Sequence, residues 1–168
     1  NLLAVRMTVT GPTGGLLDRV KLAGQFAVAE GPDGPRLVSP SGTARPGSWV
    51  EQGYPFYSGV GVYRRRFTFP GPAAGMRHFL DIPMRDDCVQ VTVNGHPAGV
   101  LLWPPYLAEV TGLIRDGENE VELAVANTLS NLLSADRRPS GLAGAPRIIT
   151  HREFVFPLPG ASGTGGTT

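Results

Sequence analysis

One cysteine, Cys88, and one lysine, Lys21, stand in a chain of 168 residues. A lone cysteine closes no internal disulfide, so the fold does not depend on an oxidising compartment. Charged residues make up only 17% of the chain and balance to a net charge of +1. That leaves no global field to draw the chain onto nucleic acid or anionic lipid. No apolar run approaches the ~20 residues that a membrane-crossing helix needs. Sustained helical periodicity and internal repeats are both missing. There is no G-x-S-x-G nucleophile elbow, and His78, His96 and His151 are far apart and lack metal-ligand spacing.

What the chain has in quantity is turn chemistry: 23 glycines and 16 prolines. Short alternating runs fall between them every ten residues or so, the pattern of an antiparallel sandwich. The organising stretch is Cys88 to Asn127. Val89, Val91 and Val93 alternate up to Asn94-Gly95, a pair that tolerates the positive φ of a tight hairpin turn. The chain returns through Ala98 to Trp103, crosses Pro104-Pro105-Tyr106, and turns at Asp116-Gly117. A second strand follows, with Val121, Leu123 and Val125 on one face and Glu120 and Glu122 on the other. Period two predicts a half-buried antiparallel sheet. Further strands are expected over Arg19–Ala29, Gly61–Phe69, Met76–Ile82 and Arg147–Phe156, with a short one near Leu37-Val38. Residues 1–15 read as a lead-in strand or linker whose Leu3, Val5, Met7 and Val9 share a face. Residues 16–157 read as the sandwich, and 158–168 as a flexible Gly/Ser/Thr tail. The first residue is not methionine and no signal peptide is evident, so the chain reads as a piece of a longer polypeptide.

The order of several motifs carries a resemblance. QGYPFYSGVGVYRRRFTF, then VNGHPAG, WPPY and EVTGLIRDGENEVELAVAN, then NTLSNLL and SGLAGAPRI resemble the sugar-binding-type β-sandwich of family 2 glycoside hydrolases. They are closer still to the related sandwich attached to α-L-rhamnosidase-like hydrolases. The resemblance covers residues 22–148 and implies an all-β, galactose-binding-domain-like jelly roll. It also implies a non-catalytic domain beside the catalytic domain of a larger hydrolase. In some family members the loop before the Tyr-Arg strand reaches into the neighbouring active site. The family's closing segment usually reads Asn-Arg-Leu-Ile-Gly-Asp. Here Asn131-Leu132-Leu133-Ser134-Ala135-Asp136 has lost the arginine and the glycine, so docking onto a catalytic domain is expected to be altered.

Glycoside hydrolysis needs two carboxylates facing across the bond. Glu120 and Glu122 sit on a strand, Asp33 and Asp116 in turns, and adjacent Asp86 and Asp87 diverge. No catalytic residue is therefore assigned. Sugar binding instead needs aromatic rings for C–H faces beside amides and charged groups for hydroxyls. Trp49, Gln52, Tyr54, Phe56 and Tyr57 form one candidate cluster, and Trp103 with Tyr106 the other. The same rings could close the ends of the sandwich. For Trp103 and Tyr106 the prolines favour that role, since they stiffen a crossing rather than open a cleft. For Tyr54 to Tyr57, flanked by Gly53, Pro55 and Gly59, the two roles are balanced.

In the Arg64-Arg65-Arg66 run, strand alternation puts Arg65 alone on the inner side. It is expected half-buried, with Asp81 or Glu109 as partner. No cofactor is expected. A structural calcium on Asp86, Asp87, Glu109 and Asn127 is the one metal option, and the resembled branch usually lacks it. Asn127 is instead expected to bond its local backbone. The expected partners are carbohydrate and the catalytic domain of the parent chain, with neither nucleic acid nor membrane. An autonomous carbohydrate-binding module and a protein-interaction sandwich using the Leu2–Val9 edge are the alternatives.

Overall fold

The computed structural model describes residues 4–16, 20–134 and 136–156. Nine strands and one helical turn follow in order: β1 (Ala27–Ala29), β2 (Arg36–Val38), β3 (Val60–Phe69), β4 (Met76–Asp81), β5 (Cys88–Val93), β6 (His96–Leu101), β7 (Leu107–Glu109), β8 (Gly117–Ala126), α1 (Ser130–Leu133) and β9 (Arg147–Arg152). β1 and β2 form a small hairpin, β3-β8-β5-β6 one sheet, and β7-β4-β9 another. All recorded strand pairs are antiparallel. The protein is an all-β antiparallel sandwich.

The alternation seen in the sequence builds the core directly. Val89, Val91 and Val93 of β5 and Val121, Leu123 and Val125 of β8 point to the same side and are buried. Leu80, Ile82, Ala108, Val110 and Ile114 belong to the same buried cluster. The outer face of the first sheet is polar. Arg64 pairs across β3–β8 with Glu122 at 2.5 Å, and Arg66 with Glu120 at 3.0 Å. Such exposed pairs fix register more than they add stability.

The β5–β6 turn forms at Asn94 (φ 51°) and Gly95 (φ 80°). Asn94 does more than turn the chain. Its side-chain amide donates to Leu113 O and to Asn119 Oδ1, both at 2.8 Å, while its Oδ1 accepts from Glu120 N. Buried Asn119 donates in turn to Arg115 O and Gly117 O and accepts from Arg115 N. Both of its donor hydrogens and both acceptor positions are used.

The ends of the chain depart from expectation. Of the strand expected over Arg19–Ala29, Arg19 lies outside the described residues, and among residues 20–29 only Ala27–Ala29 pairs, against Arg36–Val38. Val20 and Leu22 lie exposed. Residues 4–10 form no strand, and Val5, Met7 and Val9 are exposed. β9 ends at Arg152, leaving Phe154, Val155 and Phe156 exposed. Alternation predicts a strand only where a neighbouring edge takes up the backbone bonds, and these segments have no such edge in the described structure. Residues 1–3 and the expected tail 158–168 lie outside the described residues.

Candidate functional site

The aromatic loop between β2 and β3 is built around Trp49, which is only 3% exposed. The indole Nε1–H donates to Tyr63 Oη at 2.5 Å. A Cβ at Gly61 or at Gly141 would lie 2.5 Å from the indole ring, so both positions must remain glycine for the ring to lie between them. Segment 140–142 holds the other side: Trp49 N donates to Ser140 O, and Gly47 N to Leu142 O. That segment is itself anchored by buried Asp87, whose Oδ2 accepts from Gly141 N at 2.5 Å. Burial raises the Asp87 carboxyl above its ordinary value and neighbouring Asp86 adds to this, while the Gly141 N–H opposes it.

Trp49 is therefore the keystone of the loop and not an open stacking face. Gln52 is similarly committed, to the backbone of its own loop, accepting from Arg45 N and donating to Arg45 O and Ser48 O. Tyr57 packs edge-on against Trp49 at 5.4 Å and against Tyr54 at 6.5 Å. Its hydroxyl donates to Val60 O, and Tyr54 Oη lies 3.2 Å from Ser41 Oγ. Tyr57 is 40% exposed. Phe56 faces a different way, with the Arg137 guanidinium 4.1 Å above its ring. Asn127 ties this loop to the end of β8: its Oδ1 accepts from Gly59 N and its Nδ2 donates to Tyr57 O. The expected local backbone bonding of Asn127 is thus replaced by a long-range clamp.

The second cluster splits. Tyr106 is buried and its hydroxyl donates to Arg85 O, so it does close the sandwich. Trp103 does not: it is 71% exposed, beside exposed Leu102. The expectation that the prolines would seat Trp103 as a core cap is corrected. The crossing carries Tyr106 inward and leaves the preceding ring on the outside.

Tyr54, Tyr57 and Trp49 border a groove of about 1180 Å³ running over the inner face of β3. Its floor includes Tyr63, Phe67 and Phe69 of β3 with Leu123 of β8, and its far rim is the start of β9 at Arg147 and Ile148. The groove exists because β3 and β9 are both edge strands and the inner face of β3 extends beyond the cover that the three-stranded sheet provides. Arg65 lies on this face and is exposed, contrary to the half-buried pair expected. The two expected carboxylate partners are engaged elsewhere, Asp81 with Arg147 at 2.8 Å and Glu109 with Arg77 at 3.4 Å. The period of β3 could have placed Tyr63 and Phe67 here. Nothing in the sequence singled out Arg45, which reaches the groove through its backbone bonds to Gln52. Among the described residues no group of three or more His, Cys, Asp or Glu side chains could hold a metal ion. Nor is any described helix long and apolar enough to cross a membrane.

A rhamnosidase from Novosphingobium sp. PP1Y superposes on 82% of this chain with a TM-score of 0.53 and 27% identity, using 16% of its own length. This sandwich is related to domains of glycoside hydrolases. An FMN-binding β-glucuronidase from Faecalibacterium prausnitzii L2-6 matches 74% of the chain at 23% identity and a TM-score of 0.48, over 21% of that structure. In sequence, a Formosa agariphila protein named "Putative beta-glucuronidase" is 28% identical over 89 residues, which is 52% of this chain and 8% of that protein. No family model matches. The chain thus spans less than a quarter of the length of each of these three proteins.

Proposed function

We propose that this chain is a non-catalytic accessory domain of a larger glycoside hydrolase, supporting the catalytic domain and bordering its substrate cleft with the Tyr54–Tyr57 loop. The observation that carries the reading is the ratio of coverages: most of this chain corresponds to about a sixth of a rhamnosidase. The chemistry agrees. Hydrolysis requires two carboxyl groups across a cleft, and the described residues lining the groove include neither Asp nor Glu. Glu109, Glu120, Glu122, Glu153 and Asp81 all lie in ion pairs with arginines. Exposed apolar residues at both ends of the described chain, including Val5, Met7, Phe154 and Phe156, suit a domain that packs on a neighbour.

The test is a substitution in the full-length enzyme. Tyr57→Ala is expected to lower kcat/KM by about tenfold through lost positioning of the sugar, while the 168-residue chain alone hydrolyses no aryl glycoside. Turnover by the isolated chain would overturn the reading. One observation favours a second reading, an autonomous carbohydrate-binding module: the open, aromatic-walled groove exists within this chain. That reading expects the isolated chain to bind oligosaccharide.

A further inference from the structure

The groove over β3 has an unusual charge pattern for its chemistry. Its described lining contains Arg45, Arg64, Arg65 and Arg147 and no carboxylate. Arg64 is satisfied by Glu122 on the outer face and Arg147 by Asp81 at the rim. The guanidinium groups of Arg45 and Arg65 make no hydrogen bond or ion pair among the described residues, and both side chains are exposed. Elsewhere on the same strand the pattern is the opposite: Arg64 and Arg66, the immediate neighbours of Arg65, each meet a glutamate across β8. Arg65 instead faces Val121 in register and shares its side of β3 with Tyr63, Phe67 and Phe69.

An unpaired guanidinium among aromatic rings lacks a planar anion, and a carboxylate fits its donor fork with two parallel hydrogen bonds. The rings around it are suited to the C–H face of a pyranose. We propose that this groove binds an acidic saccharide, with Arg65 taking the carboxylate of a uronic acid residue whose ring lies over Tyr63 and Phe67, and with Tyr57 and Tyr54 lining the groove further along for a neighbouring sugar. Arg45 stands at the same rim as a second cation for a neighbouring carboxylate. Its backbone is pinned by Gln52 through bonds of 2.7 and 3.0 Å, so the segment bearing it is held in place before ligand arrives. The proposal rests on the second reading above, in which this chain binds carbohydrate itself, and adds a charge class to it.

The experiment is calorimetric titration of the full chain with an oligogalacturonate, a neutral galacto-oligosaccharide of the same length, and a glutamate-rich peptide of matched charge. Arg65→Gln and Arg65→Lys are run beside wild type, with thermal melts to establish that each variant is folded. Arg65 is exposed on the groove face, so both variants are expected to fold. The expected result is binding of the oligogalacturonate, weakened about tenfold by Arg65→Gln and only in part restored by Arg65→Lys, because an ammonium offers no planar fork. The neutral oligosaccharide should bind about tenfold more weakly and be indifferent to both substitutions. Raising NaCl from ~50 to ~500 mM should weaken the acidic ligand selectively. Equal binding of acidic and neutral sugars, unaffected by Arg65→Gln, overturns the acid preference and leaves the carbohydrate reading standing. Peptide binding equal to that of the oligogalacturonate overturns the saccharide assignment in favour of an acidic protein segment. No binding of any of the three by folded protein overturns the groove as a ligand site.

Discussion

At the scale of single residues, the site hangs on Trp49, and Trp49 hangs on two glycines and an aspartate. Gly61→Ala or Gly141→Ala places a methyl carbon where the indole already lies. Gly141 also has φ +91°, which a non-glycine residue adopts only with strain. Each substitution is expected to destabilise the chain by about 1–3 kcal/mol, with Gly141→Ala the worse. Urea denaturation followed by tryptophan fluorescence measures this, and wild-type midpoints for both variants would refute the packing account.

Asp87 gives a prediction with a sign. Its carboxyl is harder to ionise in the folded state, because burial disfavours the charged form. The folded state therefore holds more protons than the unfolded chain between the ordinary value near 3.8 and the raised one. Over that window the contribution of Asp87 to stability falls as pH rises, and it is fully present only below it. Asp87→Asn keeps an acceptor for Gly141 N without the ionisation. The stability of wild type relative to Asp87→Asn should therefore decline as pH rises from about 3.5, then level off above the folded value. A difference that stays constant across a pH series of denaturation curves would remove Asp87 from this role.

The residue scale is also where the sequence was least legible. A tryptophan in a glycine-rich loop reads the same whether its ring points in or out. What decides the matter is Gly141, far along the chain, and no local pattern announces that contact. Trp103 shows the converse, since two prolines stiffen a crossing without saying which of the flanking rings goes inside.

At the scale of elements the sequence was more legible. β5, its Asn94-Gly95 turn and the inward set of β8 follow from alternation and turn chemistry, and the structure reproduces them residue by residue. The same alternation in residues 4–10 and 20–26 produced no strand. The physical difference is partnership: β8 lies between β3 and β5 and bonds on both edges, whereas the leading segment bonds on neither. Hydrogen exchange should separate the two. Amides of β8 and β5 are expected to exchange slowest, at rates set by global unfolding, and those of residues 4–10 within the dead time of a manual experiment. Protection of residues 5–9 comparable to that of β8 would mean that they pair in solution.

Taken as a whole molecule, the sandwich leaves its apolar surplus at its margins. The valines of β5 and β8 are buried, yet Val5, Val9, Val20, Leu22, Phe154 and Phe156 are all more than half exposed. The strands still have open edges, at β3 and β9 among others, yet these margins pair with none of them among the described residues. If the margins serve a neighbouring domain, their substitution should separate stability from assembly. Phe154→Ser combined with Phe156→Ser removes two rings that contact little in this chain, so the unfolding free energy of the 168-residue chain should change by less than about 0.5 kcal/mol. In the full-length enzyme the same pair would lose packing against its partner and lower the thermal midpoint of that protein by several degrees, on the order of 2–4 °C per kcal/mol lost. Differential scanning calorimetry of both proteins reads the two quantities. A loss in the isolated chain would place those rings in its own core. No loss in either protein would mean that the exposed margin is ordinary surface, and the docking role would pass to Trp103 and Leu102 at the other exposed corner.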